Sequence, residues 1–88
     1  MNNLVAEPLL QQELDALSSL GYKALCNLVN YEPIVKELRG PDGQTYQIEI
    51  QVVWDGEANG PIRLLAGIDD GGWSAFLPLT LDEIVPPS

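Results

Sequence analysis

Between Tyr46 and Trp54 the chain alternates. Tyr46, Ile48, Ile50, Val52 and Trp54 are interleaved with Gln47, Glu49, Gln51 and Val53. A period of two sends the two sets to opposite sides of a pleated strand, so this stretch predicts a strand with one buried face. The preceding Gly40-Pro41-Asp42-Gly43 is turn chemistry. Proline presets φ at the first corner, Asp suits the second, and Gly43 can take the left-handed conformation that closes a three-residue hairpin loop. That loop pairs Gly40 with Gln44, then Leu38 with Tyr46, Lys36 with Ile48 and Ile34 with Ile50. Ile34 and Leu38 therefore join the apolar face. Lys36 is the misfit, tolerable if its stem lies over the core and its ammonium reaches water. The pattern predicts a hairpin of Ile34–Arg39 with Gln44–Trp54.

The same parity runs on. Asp55 to Pro61 reads as a loop, and Ile62, Leu64, Ala66 and Ile68 then alternate with Arg63, Leu65, Gly67 and Asp69. Asp69-Asp70-Gly71-Gly72 has the composition of a tight hairpin, which would return Trp73, Ala75 and Leu77 on the face of Ile62–Ile68. Trp73–Leu77 is thus the expected fourth strand. Thr80–Val85 reads as a short turn of helix, with Thr80 as N-cap and Glu83 completing a capping box.

Ahead of the strands, Leu10, Leu14 and Leu17 recur at helical spacing, and Gln11, Gln12 and Asp15 take the other side. Pro8 suits a first helical position and Gly21 a residue just past a helix end. The expected helix is Pro8–Leu20. Tyr22–Asn30 fits either period, and the alternation of Tyr22, Ala24, Cys26 and Leu28 favours a strand. A Leu-rich helix over a continuous apolar sheet face predicts an α+β domain: one N-terminal helix on an antiparallel meander of four to five strands. With 88 residues, positions 1–88 make a single domain, with 1–6 and 86–88 as flexible ends.

The opposite sheet face is not uniformly polar. Val35, Val53, Leu65 and Phe76 fall where alternation calls for polar groups, and a thin two-layer domain offers no second helix to cover them. They are the candidate interaction surface, and a second copy of the chain is the first candidate partner. Trp54 and Trp73 fall on the helix-facing side and read as core.

Chemistry is constrained by what is missing. There is no histidine and one cysteine, Cys26, so an intrachain disulfide and a histidine base are excluded. Cys26 sits in an apolar run and reads as a small packed hydrophobe. The net charge is −9, with 13 acids against 4 bases. Nucleic acids and anionic membranes are bound through clustered Lys and Arg, so neither is an expected partner. The acidity first serves solubility. No stretch has the roughly 20 apolar residues of a membrane helix, and Met1-Asn2-Asn3-Leu4 lacks the features of a secretory leader. The expected setting is the cytoplasm.

Two functions follow as expectations. The first is a small protein-interaction module that self-associates and is not an enzyme, with no cofactor. The alternative is a small-ligand or weak metal-binding domain, enzymatic or not. It would use the acidic loops at Asp55, Glu57, Asp69 and Asp70 beside Trp73, and it requires those carboxylates to converge. Neither loop has the ligand spacing of a dedicated calcium site.

Overall fold

The computed structural model describes residues 1–72 and 78–88. Helix α1 (Asn3–Ser18) packs on one face of an antiparallel sheet whose spatial order is β1-β2-β3-β4. The strands are β1 (Ile34–Arg39), β2 (Thr45–Trp54), β3 (Ile62–Asp69) and β4 (Leu79–Val85). This is the expected α+β architecture, with four strands.

The hairpin forms in the expected register. Leu38 faces Tyr46, Lys36 faces Ile48 and Ile34 faces Ile50. Gly40 N–H donates to Gln44 O at 2.8 Å, and Gly43 adopts φ +80°. On β2 the pattern is the predicted one: Tyr46, Ile48, Ile50 and Val52 are buried, with exposed residues between them. On β3, Ile62, Leu64, Ala66 and Ile68 are buried on the same side.

Helix α1 begins earlier than Pro8. Asn2 caps it, its Oδ1 accepting the Leu4 N–H at 3.1 Å, and Pro8 lies inside the helix. The only intrahelical bond a proline there forfeits is to the carbonyl of Leu4, in the first turn, and Leu4 is itself 89% exposed. The earlier start brings Ala6 into line with Leu10 and Leu14, all buried at a spacing of four. The helix ends at Ser18, two residues short of Leu20. Gly21 then reverses the chain at φ +91°.

Two segments differ in kind from the sequence reading. Tyr22–Cys26 is a short helix, α2, rather than the start of a strand. Leu25 and Val29 are buried while Ala24 is exposed, which is helical parity; a strand would have reversed it. Tyr22 Oη anchors α2 by donating to Gly60 O at 2.8 Å. Thr80–Val85 is strand, not helix: β4 pairs with β3 from Ile68↔Leu79 to Ile62↔Val85. The Thr80–Glu83 capping spacing is a local preference. It loses to the edge of β3, whose main-chain groups gain intramolecular partners when a strand lies beside them. β3 ends at Asp69 and β4 begins at Leu79. The predicted strand Trp73–Leu77 lies outside the described residues.

Helix α1 lies chiefly over β3 and β4 and less over β2. Strand β1 is left at the margin, exposed at every residue except the half-buried Leu38. Its tie to the helix is an ion pair, Lys36 Nζ to Glu13 Oε1 at 3.2 Å. The ammonium of Lys36 thus meets a carboxylate at the core's edge.

At the hairpin's closed end Tyr46 is 1% exposed and its hydroxyl donates to Asp42 Oδ2 at 2.7 Å. That hydrogen bond, then burial, then the charges of Asp42 and Asp70 push the Tyr46 phenol up to about 12. Its neutral form is therefore favoured in the fold. This contribution to stability is complete below the ordinary tyrosine pKa of about 10 and is lost as pH rises towards 12. Burial and the neighbouring Cys26 raise Tyr22 as well, so ultraviolet titration should show Tyr46 as the last tyrosine to ionise, and Tyr46→Phe should remove that last phase. An unmoved last phase in Tyr46→Phe would assign it elsewhere.

Candidate functional site

The sheet face turned away from α1 is built in cross-strand rows. Val53, Arg63 and Ile84 form one, and Gln51, Leu65 and Asp82 the next. Beyond them lie Val35, Glu49, Gly67 and Thr80. Of the predicted surface residues, Val53 and Leu65 are diagonal neighbours, within side-chain reach. Val35 is two strands from Leu65 in the register, on the far side of Glu49. Phe76 lies outside the described residues. Ile84, 43% exposed, joins Leu65 diagonally from β4. It escapes the sequence reading because the capping spacing of Thr80 and Glu83 predicts helix over Thr80–Val85.

Arg63 stands between Val53 and Ile84. Its Nε and Nη2 donate to Asp55 Oδ1 at 3.0 and 2.9 Å, and its Nη1 donates to Asp82. The hydrogen bond and charge of Asp55 raise the guanidinium pKa further, so Arg63 stays charged and committed. Below this row a shallow depression of about 620 Å³ is lined by Glu49, Gln51, Leu65, Gly67, Asp69 and Thr80, among others. Gly67 has no side chain to fill it, and its rim is acidic.

The acidic loops do not converge. Asp55 is engaged by Arg63, and its own N–H closes the β2–β3 loop by donating to Pro61 O at 2.8 Å. Glu57 is exposed in that loop. Asp69 and Asp70 serve the next turn: Asp69 Oδ1 accepts from Gly71 N–H at 2.8 Å, and Asp70 Oδ1 from Gly72 N–H at 3.2 Å. Asp55 adjoins the Ile62 end of β3 and Asp69 is its other end. A strand of that length separates them by about 23 Å. Among the described residues no three His, Cys, Asp or Glu side chains are grouped to hold a metal ion. Trp73 lies outside the described residues, and Trp54 is half-buried against the core.

A second set of exposed apolar groups gathers at β1. Ile34 is 36% exposed and Val35 71%, on opposite faces of the strand, and Tyr31, just ahead of it, is 75% exposed. On the helix side Ile34 and Ile50 meet Ala16, Leu17 and Leu20 in a small apolar groove of about 200 Å³ bordered by Glu13. Parity alone placed Ile34 on the covered face. What parity does not carry is the lateral position of α1, which leaves this edge uncovered.

The far edge differs. Glu83 is the one charged residue on the helix-facing side of β4, opposite the buried Leu64. Its Oε2 is buried without a hydrogen-bond partner among the described residues. No described helix is long and apolar enough to cross a membrane. Comparison of the chain with protein-family models, with curated proteins and with solved structures finds no match.

Proposed function

We propose that this chain is a small cytoplasmic protein-interaction module that self-associates through the part of the sheet α1 does not cover. The observation that supports it is β1: a strand of the core sheet, apolar at Ile34 and Val35, exposed on both faces. Leu65, 38% exposed, with Ile84 and Val53, continues that uncovered side across the open face. Burying a Leu or Val side chain is worth roughly 1.5–3 kcal/mol, a gain that a domain of this size realises by binding. The single unpaired cysteine, Cys26, fits a reducing compartment. The ligand- or metal-binding alternative needed converging carboxylates, and the described loops hold theirs at opposite ends of β3.

Sedimentation over a range of concentration tests the reading. The wild type should form a dimer that tightens as salt rises, because each subunit carries −9 and salt screens the repulsion. Val35→Ser should weaken it, and Leu65→Ser should weaken a dimer that reaches across the open face while leaving intact one held at β1 alone. A wild type that remains monomeric at high concentration and high salt would sink the reading.

A further inference from the structure

We propose that two copies join edge to edge through β1, antiparallel and centred on Leu38, so that Glu37 of each meets Arg39 of the other. This rests on the self-association just proposed and specifies its geometry.

The main chain sets the choices. Gly40 N–H donates to Gln44 O, so by antiparallel alternation the even residues of β1 turn their main-chain groups to β2. Val35, Glu37 and Arg39 turn theirs outward. A second β1 must match outward residues with outward residues, which puts the two-fold axis on a residue and both α1 helices on one side of the joined sheet.

Side chains then select the register. An axis at Lys36 opposes two ammonium groups, one at Glu37 opposes two carboxylates and one at Arg39 opposes two guanidinium groups. An axis at Val35 leaves the charges of Glu37 and Arg39 without opposite-charge partners across the seam and places Pro33 opposite the partner's Glu37, whereas an axis at Leu38 brings Pro41, in the turn beyond the strand, only opposite Val35. An axis at Leu38 opposes Leu38 to the partner's Leu38 and sets two Glu37–Arg39 pairs, each with its main-chain bonds, beside it. Among the described residues neither Glu37 nor Arg39 has an ion-pair partner within the chain. In this register Lys36 comes opposite the partner's Gly40, which is buried with Asp42, Tyr46 and Val5 around the place of its missing side chain, and the charge of Lys36 is already met by Glu13.

The test is a charge exchange read by sedimentation, with folding checked by circular dichroism. Glu37 and Arg39 are both exposed, so their replacement leaves the core intact. Glu37→Arg or Arg39→Glu alone turns both pairs repulsive and should weaken the dimer by about tenfold. The double variant Glu37→Arg/Arg39→Glu should restore it. In a Cys26→Ser background, Leu38→Cys should form a disulfide-linked dimer on mild oxidation. Its Cα atoms would be about 4.5 Å apart at a non-hydrogen-bonded pair, within disulfide reach. Lys36→Cys and Glu37→Cys should link less. A wild type that never dimerises overturns this proposal together with self-association. A dimer indifferent to both exchanges, or one that the double variant fails to restore, overturns the edge pairing alone and returns the contact to the open face.

Discussion

Leu14→Ala and Ile50→Ala should each lower the unfolding free energy by about 2–5 kcal/mol. Leu14 is 1% and Ile50 4% exposed, on opposite sides of the single helix–sheet core. With no second core layer to absorb a void, each truncation removes apolar contact and leaves a cavity whose lining has nothing to collapse upon. Domains have about 5–15 kcal/mol in all, and small ones sit at the low end, so the double variant should be unfolded in water. Leu4→Ala is the control. Leu4 is 89% exposed on the same helix and should change stability by less than about 0.5 kcal/mol. Urea melts with unchanged slope check both. Losses below about 0.5 kcal/mol at Leu14 and Ile50 would mean that α1 does not cover the sheet here.

Gly40→Ala should also be costly, by about 1–3 kcal/mol, for a reason unrelated to backbone freedom. A Cβ on Gly40 would lie 2.7 Å from Asp42 Oδ1, 2.8 Å from Tyr46 Cε2 and 3.2 Å from Val5 Cγ1. Asp42 is held by the Gln44 N–H and the Tyr46 hydroxyl, and the Tyr46 ring is enclosed in the core. Relieving the clash means displacing the ring or breaking its bond to Asp42. The melting loss should therefore be accompanied by a fall of the late tyrosine titration towards the ordinary range. At Gly43 a Cβ meets open space and the cost is only that of φ +80°, about 1–2 kcal/mol. A Gly40→Ala protein with wild-type stability and an unmoved titration would show that the turn and ring can part freely.

What the sequence made legible follows from how many signals agreed at a position. In the β1–β2 hairpin, turn residues and alternation specify the same register, and a slip of one residue would have turned Ile48 and Ile50 outward. Tyr22–Asn30 is too short for the two periods to separate, and the burial of Leu25 and Val29 depends on a sheet that no local pattern describes. In β4 the alternation of Leu79, Leu81 and Val85 is interrupted by Glu83, an acid on the inner side, so a capping signal displaced the strand signal. Ile84 was lost to the surface for the same reason. The acidic loops could have been set apart from sequence alone, because a meander puts Asp55 and Asp69 at opposite ends of β3. The exposure of β1 could not, since no residue of α1 records how far across the sheet the helix sits.

The buried carboxylate oxygen of Glu83, without a partner among the described residues, has a bearing on how far such a sheet can grow. A meander with two bare edges is a unit that can add copies at both ends and run on into a fibre. Glu83 sets an inward-pointing charge on the β4 edge, one of the features by which sheet edges discourage a further strand. On the proposed joining at β1, an edge so guarded at β4 would hold the assembly at two copies instead of a fibre.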